Sequence, residues 1–259
     1  MTYCVAARLQ EGLVFLSDSR TNAGMDQVST FRKMSVFERP DDRMIVLMSA
    51  GNLAITQSVR EILKESVESE SIWSAANMYE AATVVGAAIR QVYDRDHQAL
   101  AEMGIDFNCS FILGGQIRGE SCRLFQIYAA GNFIEAHSEN PCFQIGESKY
   151  GKPILDRVIR PEIPLDEAVK CVLISMDSTL KSNISVGMPL DLLVYQAGSL
   201  QVSHFVSVTE EDPYFNMLRA SWGERIRQAF HDLPAPDWST MEKERSKPVF
   251  ERHIRTVDQ

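Results

Sequence analysis

Apolar residues along the chain recur first at the two-residue spacing of a strand and later at helical spacing, and the two patterns alternate to the end. Residues 2–9 and 13–17 read as strands joined by Gln10-Glu11-Gly12, where glycine supplies the backbone angles of a hairpin. A polar loop is predicted at 21–30. Further strands are predicted at 33–37 and 44–49, on either side of the turn-forming Arg39-Pro40-Asp41-Asp42. Gly51 ends this run. Asn52 is placed to cap a helix carrying Ile55, Val59, Ile62 and Leu63, and a second helix at 72–101 carries Met78, Ala82, Val85, Ile89 and Val92. Strand patterns return at 109–113, 122–128, 133–136 and 142–145, with glycines at the turns. Two more helices follow, one at 150–159 ending before Pro161 and one at 165–176 entered through Pro164. The last strands, 191–196 and 201–208, flank Gly198-Ser199.

Runs of strands thus alternate with pairs of helices, which is the signature of an α+β domain. Two sheets and two helix pairs fit a four-layer αββα sandwich over residues 1–210. Pro213 opens another helical pattern to residue 231, making 211–259 a C-terminal helix and extension. Beyond it come Pro234, Pro236 and a charged run at 242–247, together with Trp238, Val249, Phe250 and Ile254. A disordered tail usually lacks such apolar anchors. The extension is therefore expected to pack on the body or on a neighbouring subunit, a solvated tail being the alternative.

With 45% hydrophobic residues in 259, the chain has apolar material for a substantial core. A net charge of −9 argues against nucleic acid or an anionic membrane as partner, since both require a basic face. No apolar run approaches the roughly 20 residues of a membrane span. Arg8, Gln10 and Glu11 interrupt the apolar start that a secretory signal needs, so a cytoplasmic location is expected. Cys4, Cys109, Cys122, Cys142 and Cys171 are odd in number and widely spaced, and read as reduced core residues. The histidines are scattered and none stands at ligand spacing, so neither a metal nor another cofactor is called for.

Candidate chemistry begins at the second residue. Methionine before a small residue is readily removed, and loss of Met1 would leave Thr2 with its hydroxyl and an α-amine on one residue. An α-amine with a reference pKa of about 8 accepts the hydroxyl proton near neutral pH, so nucleophile and base come together. Taken alone, Thr2 is also an ordinary strand residue. Asp18, in Ser17-Asp18-Ser19-Arg20, ends the second strand of the hairpin and so falls near the start of the first. Lys33, at the start of the next strand, is placed to meet Asp18 and the threonine oxygen, where a cation would favour the alkoxide. Singly, Asp18 also reads as a turn residue bonding its own loop, and Lys33 as a solvated charge.

The series Thr2, Gly12-Leu-Val-Phe-Leu-Ser-Asp18-Ser-Arg20, Arg32-Lys33-Met34 and Met48-Ser-Ala-Gly51-Asn-Leu-Ala54 resembles the opening of proteasome β-type subunits and of the bacterial HslV peptidase. Later, Gln144-Ile-Gly146-Glu-Ser148-Lys-Tyr150-Gly151 is similar to the glycine-serine loop before that family's third major helix. Ser182-Asn-Ile-Ser185-Val-Gly187-Met-Pro189-Leu-Asp191 is similar to the loop before its final strand pair. An expected absence of a propeptide, the 182–189 loop and the long C-terminal extension are similar to the bacterial proteasome-type group called Anbu.

The resemblance implies the N-terminal nucleophile hydrolase fold, with Thr2 as nucleophile and base, Asp18 and Lys33 tuning it, and the Gly51 backbone N–H serving the oxyanion. It departs where Glu147 follows Gly146 in place of the serine of proteolytic relatives, leaving Ser148 one place on as the candidate helper. By the same carry-over, Asp177 and Ser185 stand for the later aspartate and serine, across a spacing longer than the family's, with Ser182 as a local substitute. The implied activity is peptide-bond hydrolysis through an acyl-enzyme, by a homo-oligomeric ring or spiral acting on peptide or unfolded protein. Hydrolysis of a small amide by the same nucleophile is one alternative. Another is a catalytically weak scaffold subunit that recruits an unidentified partner.

Overall fold

The expected hairpin forms the start of the computed structural model, which describes residues 2–22, 28–65 and 71–238. Strands β1 (Tyr3–Arg8) and β2 (Gly12–Asp18) pair antiparallel, with Cys4 opposite Ser17 and Arg8 opposite Leu13. Every residue of β2 is buried, as its unbroken apolar run requires of a central strand covered on both faces. The predicted loop at 21–30 instead contains β3 (Arg20–Asn22) and β4 (Val28–Thr30), which pair with Thr21 opposite Ser29. Here hydroxyls replace apolar contacts: Thr21 Oγ1 lies 2.8 Å from Ser29 Oγ and donates to the Ser29 carbonyl at 3.0 Å.

Strands β5 (Met34–Arg39) and β6 (Arg43–Gly51) follow as predicted. Helix α1 (Leu53–Glu65) is capped by Asn52, whose Oδ1 accepts the Ala54 N–H at 3.0 Å. Helix α2 (Met78–Glu102) starts six residues later than the apolar spacing suggested. The Asn77 side chain accepts the Glu80 N–H at 2.8 Å while Glu80 reaches back to the Ala76 N–H at 2.8 Å, so the helix is capped reciprocally at 77. Met78, Ala82, Val85, Ile89 and Val92 are all buried along its inner face.

Strands β7 (Cys109–Ile117), β8 (Arg123–Ile127) and β9 (Phe133–Glu135) complete a five-stranded sheet of order β5-β6-β7-β8-β9. Then β10 (Cys142–Gly146) crosses to the other sheet and pairs with β1, Tyr3 opposite Gly146. Helices α3 (Lys152–Val158) and α4 (Leu165–Ser182) come next, α4 running a turn and a half past its predicted end. Asp166 and Glu167 in its first turn and Lys181 in its last complement the helix dipole. Strands β11 (Leu190–Gln196) and β12 (His204–Val208) finish the first sheet in the order β10-β1-β2-β11-β12, and α5 (Pro213–Asp232) follows.

The two five-stranded sheets share an apolar cluster that includes Leu13, Phe15 and Leu193 from one and Met44, Met48 and Ile112 from the other. Helices α1 and α2 pack on the β5 to β9 sheet, and α4 packs on β1 and β2. The chain divides into two units between Arg219 and Ala220. Trp238 is 66% exposed, and the other anchors expected of the extension, Val249, Phe250 and Ile254, lie outside the described residues. All five cysteines are free thiols. Among the described residues no helix is long and apolar enough to cross a membrane.

Candidate active site

The hairpin register carries Asp18 to the beginning of β1. Its Oδ1 accepts the Tyr3 N–H at 3.0 Å, one residue from Thr2. Lys33 reaches the same oxygen from the other sheet, Nζ to Asp18 Oδ1 at 2.6 Å, and also donates to the Arg20 carbonyl at 2.6 Å. Two backbone bonds hold the Lys33 segment between the sheets: Phe31 N–H to the Ser19 carbonyl at 2.7 Å, and Ser49 N–H to the Lys33 carbonyl at 3.1 Å. On the far side Asp18 Oδ2 accepts the Gly187 N–H at 3.3 Å. Asp18 is 0% and Lys33 4% exposed. Burial pushes the Asp18 carboxyl above the usual aspartate range, while the Lys33 ammonium and the hydrogen bonds from Lys33, Tyr3 and Gly187 pull it back down.

Above this pair lies a cleft of about 610 Å³ whose walls include Thr2, Thr21, Lys33, Ala50, Gly51 and Asn108. Gly51 ends β6 at φ 114°, and a Cβ there would run into the Asn108 carbonyl oxygen, so the bend that opens the cleft needs glycine. Gly146 forms the opposite lip at φ 83°, where a Cβ would collide with the Thr2 carbonyl oxygen. That carbonyl accepts the Glu147 N–H at 2.6 Å, which fixes the backbone of Thr2 against β10. Ala23, expected beside Thr21, lies outside the described residues, as does Met1.

Thr2, Lys33 and Gly51 therefore meet at one cleft, with Asp18 directly beneath. Ser148, Asp177 and Ser185 do not line it. Ser148 is exposed. Asp177 is buried on α4, where it accepts Arg219 Nε at 2.7 Å and lies 3.1 Å from Lys181 Nζ. The Ser185 N–H donates to Asn183 Oδ1 at 3.0 Å, within the loop that leads to Gly187. Residues that sequence reasoning left without a role also shape the site. Glu147 is buried, its Oε2 accepts the Asn183 side-chain amide at 2.9 Å, and Gly187 holds Asp18. Glu147 stood out in sequence only as a departure, and its partner lies 36 residues away. Among the described residues there is no group of three or more side chains able to hold a metal ion.

Comparison with known proteins matches residues 2–194 to the proteasome subunit family. A comparison with curated proteins finds no significant match. Among solved structures, Anbu (ancestral beta-subunit) from Yersinia bercovieri is 52% identical, with a TM-score of 0.85 over 91% of this chain and 99% of that one. Anbu from Hyphomicrobium sp. strain MC1 is 47% identical, with a TM-score of 0.82 over 91% and 99% of the two chains. The Anbu complex from Pseudomonas aeruginosa, described as a helical assembly, is 46% identical, with a TM-score of 0.87 over 92% and 99%. A family match over three quarters of the sequence and whole-length likeness at about half identity lead to one assignment: the chain belongs to the proteasome subunit family, in its Anbu group.

Proposed function

We propose that the chain is a threonine hydrolase acting on peptide bonds, with Thr2 as nucleophile once Met1 has been removed. The observation that carries the reading is the buried ammonium of Lys33, held by Asp18 and the Arg20 carbonyl, in the wall of the cleft that Thr2 and Gly51 share. The freed α-amine takes the Thr2 hydroxyl proton, and the oxygen attacks the substrate carbonyl. Lys33 stabilises the developing alkoxide, Asp18 fixes the ammonium, and the Gly51 N–H receives the oxyanion. The amine returns its proton to the leaving nitrogen as the C–N bond breaks. Water then attacks the acyl-enzyme with the same amine as base.

On this reading the two sheets are the inner layers of a four-layer αββα sandwich, with α1 and α2 outside one and α3 and α4 outside the other. Subunits assemble into a ring or spiral, as the helical assembly of the Pseudomonas aeruginosa relative suggests, and confine the sites to peptides or unfolded chains. The compartment is the cytoplasm.

A second reading, a scaffold subunit of low activity that recruits a partner, is favoured by Glu147 in the helper serine's place and by Asp177 being engaged with Arg219. Intact mass and a threonine-directed electrophile decide between them. The hydrolase is expected to lack Met1, to label at Thr2 and to lose labelling in Thr2→Ala. A retained Met1, or a correctly processed protein that never labels, leaves the scaffold reading standing. A peptide-library assay on the labelled form then separates peptide from small-amide hydrolysis.

A further inference from the structure

Glu147 is 4% exposed, and both of its carboxylate oxygens are engaged. Oε1 accepts the Lys149 N–H at 3.1 Å and Oε2 the Asn183 side-chain amide at 2.9 Å. The Glu147 N–H meanwhile donates to the Thr2 carbonyl at 2.6 Å. Asn183 closes α4 and turns its Oδ1 to the Ser185 N–H at 3.0 Å. Two residues further on, the Gly187 N–H reaches Asp18 Oδ2 at 3.3 Å, and Asp18 Oδ1 accepts the Tyr3 N–H at 3.0 Å. These bonds form a closed circuit that leaves Thr2 through its carbonyl and returns to it through the neighbouring amide. Within this circuit the bond of Glu147 with Asn183 joins two side chains from separate elements.

Resting on Thr2 as the nucleophile, we propose that Glu147 and Asn183 are positioning residues, whose bond ties the Thr2 backbone to the 183–189 loop and so sets Thr2 against Asp18. The donor and acceptor inventory allows one arrangement. An ionised carboxylate only accepts, so Asn183 must present Nδ2 to Glu147, and that leaves Oδ1 for Ser185. Glu147 follows Gly146 where proteolytic relatives carry a serine, and on this proposal it supplies rigidity in place of a proton path.

Reversing the polarity of the bond tests this. Asn183→Asp sets a second carboxylate against Glu147 while still accepting from Ser185. Adding Glu147→Gln restores a donor, with the glutamine oxygen still accepting from Lys149. Two readouts are followed from pH 5 to pH 8 on protein whose mass shows loss of Met1: the thermal midpoint and the rate at which a threonine-directed electrophile labels Thr2. Asn183→Asp alone is expected to slow labelling about tenfold at pH 8. The deficit should narrow toward pH 5, where two facing carboxylates share a proton. The double variant is expected to return to within about threefold of wild type with the wild-type pH profile. Midpoints that follow this pattern while labelling stays constant would make the pair purely structural and overturn the positioning role. So would a double variant no better than the single one in both readouts. If processed wild type does not label at all, the proposed function itself fails and the positioning role falls with it, even where the midpoints still report the bond.

Discussion

Lys33 Nζ donates to Asp18 Oδ1 at 2.6 Å, with both side chains almost wholly withdrawn from water at 4% and 0% exposure. A buried ion pair is a poor way to gain stability, because desolvation offsets most of the Coulomb attraction. Deleting one partner is nevertheless severe, since the other charge is left buried and alone. We expect Lys33→Ala to lower stability by about 3–5 kcal/mol in urea denaturation and to abolish labelling of Thr2. Replacing both members with apolar residues, Lys33→Met with Asp18→Leu, removes the lone charge but leaves the Tyr3 and Gly187 N–H groups without their acceptor, so it should recover part of the stability and none of the labelling. Recovery of labelling by that double variant would show that the charges serve the fold alone.

Asp191 offers a second buried carboxylate with a different consequence. It is 2% exposed at the start of β11, opposite Ser17 and Ser207, and Arg32 Nε stands off at 3.9 Å from Oδ2. Burial raises its carboxyl above the ordinary aspartate value, and Arg32 lowers it only in part. A carboxyl that holds its proton more tightly when folded stabilises the protein below the unfolded pKa, and that contribution is lost as pH rises through the folded one. Asp191→Asn should therefore raise the thermal midpoint at pH 7 to 8 and change little near pH 4. A midpoint that falls at neutral pH would mean that Arg32 dominates instead.

These residues show where sequence was informative. The hairpin, the buried stripe of α2 and the antiparallel strands around 39–42 follow from local period and turn chemistry, so each could be read from a short window. The meeting of Thr2 and Lys33 over Asp18 was readable because they sit on consecutive elements of a hairpin and its neighbour, whereas Gly51 entered the site only through the family resemblance. What escaped was set by polar atoms. Strands β3 and β4 are held together by the hydroxyls of Thr21 and Ser29, which have no apolar signature. Ile72 and Ala75 kept helical spacing, yet the Ser71 N–H bonds to Ser74 Oγ at 2.9 Å and turns the chain before α2 can begin. Glu147 and Asn183 come from separate elements, and no local pattern joins them.

Gly51 carries a steric prediction. With φ at 114° and the Asn108 carbonyl oxygen in the way, Gly51→Ala must move β6 or β7 where they pair at Cys109. A displaced or strained backbone at such a position costs on the order of 1–3 kcal/mol. Because the Gly51 N–H is assigned to the oxyanion, labelling should fall by more than tenfold, beyond what the stability loss explains at a temperature where the variant is fully folded. Comparing Gly51→Ala with Gly119→Ala, whose added Cβ meets nothing within 4 Å, separates the local effect from the general cost of a side chain at positive φ. Equal labelling in the two variants would remove Gly51 from the mechanism.

Asp177 was paired with Ser185 by family resemblance, and the structure engages it elsewhere. Both of its oxygens are taken, one by Arg219 Nε of α5 at 2.7 Å and the other by Lys181 Nζ of α4 at 3.1 Å, while its side chain is 3% exposed. Arg219 also lies over the Phe215 ring at 5.3 Å, so the aspartate anchors the first turns of α5 to α4. Asp177→Asn removes the charge, keeps the shape and leaves the Arg219 guanidinium without its counter-ion. The expected result is a loss of about 1–3 kcal/mol in stability, with the Thr2 labelling rate of the folded fraction within about twofold of wild type. Arg219→Met should give the same signature. A large loss of labelling in Asp177→Asn that Arg219→Met does not share would instead return Asp177 to the catalytic apparatus, acting on Thr2 by a route other than its contact with α5.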